Sequence, residues 1–173
     1  MNIIISDVIF RRATIDDAAQ IREIMAYFID NSTASWRYKV KDIAYFENNI
    51  AGHDTPDRPF WVAEYQHQIV GYSCLSEFRA PEGYWPCAEN SVYVRPEFGQ
   101  SGIGRRLMEL IIEDGRAAGL QAIIAAIDGA NESSIKFHEG FGFKICGELK
   151  NIAWKQESFR TLILMQLNLQ KES

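Results

Sequence analysis

Between residues 92 and 106 the chain reads VYVRPEFGQSGIGRR. A short β-branched and aromatic run leads into a turn rich in small residues, and the turn opens a helix. Small residues let successive backbone N–H groups converge on an anion, and the positive end of the helix adds to the attraction. Arg105 and Arg106 put side-chain charge beside that cradle. The ligand this chemistry suits is a pyrophosphate. Two well-known phosphate loops do not fit. A P-loop ends in Gly-Lys-Ser/Thr, whereas Gly104 is followed by Arg105. The dinucleotide fingerprint wants a third glycine, and Leu107 stands there. Read alone, the turn is equally a plain helix start that binds nothing.

The elements that must hold this turn are legible in the hydrophobic pattern. Val8–Arg12 reads as a first strand. Thr14 and Asp17 form a capping pair before an apolar stripe of helical period, from Ile15 through Phe28. A second helix fits 40–50. Phe60–Glu64 and Ile69–Ser76 make a hairpin around Gln66-His67-Gln68, and Glu89–Val94 is a further strand. The helix after the turn buries Ile103, Leu107, Leu110 and Ile111 and ends at Gly119. Gln121–Ile127 is apolar enough to be buried on both faces. A short helix over Asn131–Glu139 and two strands, Phe143–Leu149 and Phe159–Leu167, complete the chain. The order β-α-α-β-β-β-α-β-α-β-β implies a mixed α/β (α+β) fold, with helices covering a mostly antiparallel sheet.

Composition narrows the rest. The 173 residues fit one domain, 1–173 with a core over about 8–168, and the loop-like stretch Gly52–Pro59 is too short to divide it. Lys and Arg number 18 against 23 Asp and Glu, a net charge of −5, so a nucleic-acid-binding face is not expected. No apolar run approaches the roughly 20 residues that span a bilayer. The start, Met1–Phe10 with Ile3-Ile4-Ile5, has no basic leader or cleavage site. Cys74, Cys87 and Cys146 are too few and too scattered for a disulfide framework or a zinc site, and read as thiols in a reducing cytoplasm. No metal is expected.

With its surroundings the turn resembles the acetyl-CoA pyrophosphate loop of the GNAT superfamily of N-acetyltransferases, Arg/Gln-x-x-Gly-x-Gly/Ala. Gly102 and Gly104 match its last two positions, while Gly99 stands where Arg or Gln is usual, with Gln100 beside it. The likeness covers nearly the whole chain. It narrows to the phosphinothricin acetyltransferase subfamily through Thr33-Ala34-Ser35-Trp36, Phe78-Arg79 to Gly83-Tyr84, Glu89–Val94, Asn131–Ser134, Phe137–Phe143 and Met165-Gln166-Leu167. Departures fall at Asn90, where His is common, at Pro81, at Trp85-Pro86-Cys87 and at Gln156-Glu157-Ser158. The resemblance implies acetylation of the α-amino group of phosphinothricin, methionine sulfoximine, methionine sulfone or a related amino acid. It also implies acetyl-CoA as co-substrate and a homodimer. A peptide N-terminus or a polyamine as acceptor, or a CoA-binding sensor without turnover, are the competing readings.

Roles follow from that frame. Glu89, opening the strand before the turn, is the implied general base, since a carboxylate in a partly apolar site has a raised pKa. The backbone of Val92, Tyr93 and Val94 is the implied partner of the thioester and pantetheine, with a bulge there splaying two strands apart. Gly99, Gln100, Ser101, Gly102, Ile103, Gly104 and Arg105 would cradle the pyrophosphate. Asn131 would bond the pantetheine arm, although an N-cap is an equal reading. Ser133 and Ser134 would contact the phosphate arm. His138 stands where many relatives place the Tyr that protonates the thiolate, and is otherwise a packing side chain. Arg79 and Tyr84 are expected at an acceptor carboxylate, Trp36, Phe78 and Trp85 as pocket walls, with Asn90, Lys155 and Phe159 nearby.

Overall fold

The computed structural model describes residues 4–53 and 55–170. Met1 to Ile3 of the opening stretch and Asp54 of the loop after residue 52 lie outside them. Seven strands form one sheet. In chain order the elements are β1 (Ile9–Arg12), α1 (Ala18–Asn31), α2 (Ile43–Ala51), β2 (Phe60–Tyr65), β3 (Gln68–Glu77), β4 (Cys87–Val94), α3 (Ile103–Ala117), β5 (Ala122–Asp128), α4 (Glu132–Glu139), β6 (Lys144–Lys155) and β7 (Ser158–Asn168). The sheet runs β1-β2-β3-β4-β5-β7-β6, with β4 and β5 parallel and every other pair antiparallel. This is the mixed, mostly antiparallel architecture that the pattern implies. Among the described residues no helix is long and apolar enough to cross a membrane.

The entry to α1 shows how local chemistry sets a boundary. The Thr14 N–H donates to the Asp17 carboxylate at 2.8 Å, and Arg11 grips the same carboxylate with two nitrogens at 2.7 and 2.8 Å. Burial alone would raise the Asp17 pKa, yet these bonds hold it below the ordinary value. The capping pair closes a 3-10 turn, Ile15–Asp17, and α1 starts one residue later. Helix α2 begins at Ile43, three residues later than the apolar pattern implies, because the Asp42 side chain caps it by accepting from Tyr45 N. Strand β6 runs six residues past Leu149. Two register shifts, at Ile145/Gly147 and Leu149/Ala153, break the alternation by which a strand is read in sequence.

Helices α1 and α2 cover one face of the sheet, through Ile21, Ile24, Phe46, Ile50 and the β-strand residues Phe60 and Tyr72. Helices α3 and α4 cover the other. Leu107, Met108 and Ile111 of α3 are fully buried, and each such side chain contributes roughly 1.5–3 kcal/mol. Ser73, buried under α3, satisfies its hydroxyl by donating to Leu107 O. The close approach of α3 depends on Gly71. A Cβ there would stand 2.9 Å from Tyr93 O and 3.2 Å from both Leu107 and Val94. Gly71→Ala is therefore expected to destabilise by about 1–3 kcal/mol through overpacking, lowering Tm by several degrees in a thermal melt. An unchanged Tm would contradict this account of the contact.

Candidate active site

The site originates in a gap in the sheet. Strands β4 and β5 pair at Cys87↔Ala122, Ala88↔Ile123 and Glu89↔Ile124, and then part. On its other side β4 stays paired with β3 without a register shift, from Glu77↔Ala88 to Gly71↔Val94. The bulge expected at Val92–Val94 is therefore absent, and the strands splay because β5 turns away from a regular β4. Backbone groups of residues 90–94 that face β5 lose their ladder partners and are left available to a ligand. Ala126, expected to be buried in β5, is exposed where β4 has departed. The opening is a cleft of about 460 Å³, walled by residues 89–93 and 125–128 and covered by the loop 33–37.

Glu89 stands at the last paired position, on the cleft wall. Burial raises its pKa, and the positive charge of Arg79 opposes the rise. Its neighbour Asn90 points to the opposite face, where its Nδ2 donates to His138 Nε2 at 3.0 Å. The other ring nitrogen, Nδ1, lies 2.8 Å from Ser134 O, which can only accept. The proton of a neutral ring thus sits on Nδ1, and Nε2 is an acceptor. Burial lowers the His138 pKa, in keeping with that neutral form. The Oδ1 of Asn90 is buried and has no partner among the described residues.

Polar pins fix the loop over the cleft. Asp128, at the end of β5 with its side chain 1% exposed, accepts from Trp36 Nε1 at 2.9 Å, from Arg160 Nε and Nη2 at 2.7 and 2.9 Å, and from Ala130 N at 2.8 Å. Burial works to raise its pKa, and these donors together bring it below the ordinary value. Tyr93 Oη donates to Ala34 O, and burial pushes this phenol up to about 12. The buried Lys155 donates to Ile29 O at 2.7 Å, in the last turn of α1, and to Arg37 O at 2.6 Å. Sequence patterns did not single out Asp128 or Arg160. The available signal was an acid closing an otherwise apolar strand.

The small-residue turn follows β4 directly. Gln100 and Gly102 adopt left-handed backbone, with φ of 60° and 86°. Arg106 N makes the first helical bond of α3, to Gly102 O. The N–H groups of Ile103, Gly104 and Arg105 precede that bond and have no helical acceptor. Arg105 lies over the Phe141 ring and makes no salt bridge among the described residues, whereas Arg106 is paired with Glu109 and Glu113. The turn's side-chain charge is thus carried by Arg105 alone.

Of the residues expected at a site, the cleft wall unites Trp36, Glu89, Asn90, Val92, Tyr93, Asn131, Ser134 and His138. Asn131 does cap α4: its Oδ1 accepts from Ser134 N and from the Ser133 hydroxyl. Arg79 and Tyr84 line a separate exposed cavity with Trp85, and Phe78 stacks edge-on against Tyr84. Phe159 is exposed and packs on Trp154.

Residues 10–159 match the family model described as an acetyltransferase (GNAT) domain. The chain therefore belongs to the GNAT acetyltransferases. It is 36% identical over 166 residues to an L-methionine sulfoximine/L-methionine sulfone acetyltransferase of Pseudomonas aeruginosa, covering 91% of this chain and 95% of that protein. A phosphinothricin N-acetyltransferase of Alcaligenes faecalis is 28% identical over 152 residues, covering 87% and 77%. The crystal structure of a GNAT superfamily phosphinothricin acetyltransferase from Sinorhizobium meliloti, in complex with acetyl-CoA, superposes with a TM-score of 0.88 at 28% identity, covering 94% of this chain and 88% of that one.

Two stability measurements test the electrostatics. The folded state raises the Glu89 pKa, so it holds that proton more tightly than the unfolded chain does. The corresponding stability is complete below the ordinary value of 4.5 and is lost as pH rises through the raised value. Glu89→Gln escapes this loss and is expected to melt above the wild type at pH 7, with the difference closing near about pH 4. Equal melting temperatures at pH 7 would contradict the assignment of a half-buried carboxylate whose desolvation outweighs the attraction of Arg79. Asp128→Ala leaves Arg160 without its partner and is expected to cost about 3–5 kcal/mol in chemical denaturation, with a change in tryptophan fluorescence as Trp36 is released.

Proposed function

We propose that this protein is an acetyl-CoA-dependent N-acetyltransferase acting on the α-amino group of a small amino acid or analogue, of the phosphinothricin and methionine sulfone type. The observation that carries the reading is Glu89, a carboxyl whose pKa burial raises, standing where β4 and β5 part. Acetyl-CoA supplies an activated acetyl thioester. The unpaired backbone of Val92, Tyr93 and Val94 suits its pantetheine arm and thioester oxygen. The free amides of Ile103, Gly104 and Arg105 suit its pyrophosphate, in the cradle of residues 99–105. Asn131 and Ser134 on the cleft wall, with Ser133 beside them, suit contacts to the same arm.

Glu89 takes a proton from the acceptor ammonium, directly or through a water, and frees the lone pair that attacks the thioester carbonyl. The carbon–sulfur bond breaks and the thiolate leaves. In the observed tautomer His138 has no proton on Nε2. For it to protonate the thiolate, Nε2 must first gain a proton and the Asn90 amide must turn its Oδ1 toward the ring. Arg79 and Tyr84 line the neighbouring exposed cavity rather than the cleft, and the charge of Arg79, which reaches Glu89, supports a role for it at the acceptor carboxylate. A polyamine acceptor is disfavoured because the cleft wall holds two carboxylates, Glu89 and Asp128, and Arg160 neutralises the second.

We place a homodimer contact on β6, the sheet edge, where Ile145, Leu149, Ile152 and Trp154 are exposed beside Phe159 of β7. Three free thiols agree with a cytoplasmic location.

The test is thiol release from acetyl-CoA by purified protein, with phosphinothricin, methionine sulfone, spermidine and a short peptide as acceptors. Turnover is expected with the first two. Glu89→Gln should reduce it roughly 10²–10⁴-fold. A loss below about threefold in a folded variant would reject Glu89 as the base.

A further inference from the structure

Beside the cleft lies a second cavity of about 170 Å³, between α1, α2 and the sheet. Arg37 and Ser91 line both, so the two spaces adjoin. Ser91 follows Glu89 by two positions on β4. Their side chains share a face and stand about 7 Å apart along the strand. An acceptor with its amine at Glu89 can therefore send a short side chain past Ser91 into this space. The volume equals five or six waters of liquid at about 30 Å³ each, which suits an amino-acid side chain.

The chemistry of the lining is one-sided. No carboxylate lines the cavity among the described residues. Arg37 and Lys41 stand at its open side, neither of them paired with an acid there. Arg37 lies over the Tyr45 ring and donates to Tyr45 Oη at 3.2 Å, which fixes its guanidinium. At the floor, Tyr72 is 3% exposed, and its hydroxyl has no hydrogen-bond partner among the described residues. Burial is the largest influence on that phenol and pushes its pKa well above the ordinary 10, so it stays a donor, while the positive charge of Arg37 acts the other way. The Arg37 charge thus reaches the floor. The Tyr72 hydroxyl borders the cavity and is open to a ligand acceptor there.

We infer that this cavity is the acceptor's side-chain pocket, and that Arg37, Lys41 and Tyr72 make it select an α-amino acid whose side chain ends in an anion. The inference rests on the acetyltransferase reading above. Phosphinothricin and methionine sulfone separate the terms, because their side chains are of nearly equal size and end in a charged phosphinate and a neutral sulfone respectively.

The experiment compares kcat/KM for these two acceptors in the wild type, Arg37→Gln, Lys41→Gln and Tyr72→Phe. A hydrogen bond to a charged group is worth tenfold or more. Wild type is expected to prefer phosphinothricin. Arg37→Gln is expected to lose about tenfold or more with phosphinothricin and less than about threefold with the sulfone, with the KM for acetyl-CoA unchanged. Lys41→Gln should shift the preference the same way. So should Tyr72→Phe, which keeps the ring packing and serves if Arg37→Gln does not fold. Equal losses with both acceptors would assign Arg37 to the α-carboxylate they share and overturn the pocket's selectivity. Unchanged kinetics in all three variants would place the side chain elsewhere. Wild-type turnover of neither acceptor would overturn the amino-acid acceptor reading above, and the pocket with it.

Discussion

A strand inside a sheet has two neighbours, and its backbone polar groups are satisfied by both. Strand β4 keeps β3 along its whole length but gives up β5 after Glu89. An interior strand with unpaired N–H and C=O groups is costly unless something else bonds them, and here the vacancy forms one wall of a cleft. The base candidate stands at the edge of that vacancy, the small-residue turn at its far end, and the Asn90–His138 pair behind it. Each takes its position from the divergence of two strands.

A gap in a sheet must be held open from both sides. Asp128 does this from β5 by joining Arg160 of β7 to Trp36 of the covering loop. Lys155 does it from β6, tying the same loop to the last turn of α1 through two carbonyls. Tyr93 reaches the loop from β4. These are polar contacts between segments far apart in the chain, most of them at least partly buried, and they define one geometry where apolar packing alone would tolerate several. The carboxylate of Asp128 is kept charged by its donors. Glu89, across the same cleft on β4, has none among the described residues, and burial dominates its pKa. Two acids in one cleft are driven in opposite directions by their partners, which separates a structural acid from one able to exchange protons.

The amphipathic helices, the hairpin at Gln66-His67 and the order of strands were legible because period and turn chemistry are local properties, carried by neighbouring residues. The same holds for the turn at 99–105, whose small residues and following helix are contiguous. Glu89 was legible through its place before that turn. Strand β6 was misjudged past Leu149 because its bulges destroy the alternation, and the expected bulge in β4 proved to be a parting of strands.

What the chain by itself determined is thus the set of elements and the anion cradle. Tertiary structure decided which polar groups meet. Trp36 and Asp128 are 92 residues apart, and Asn90 and His138 are 48 apart. No spacing rule connects them. The cavity bearing Arg37 and Tyr72 likewise draws its lining from α1, α2 and three strands. Burial, and with it the raised pKa of Glu89 and the neutral state of His138, depends on how much water the assembled fold excludes. That is a property of the packed whole, and it follows from no single stretch of residues.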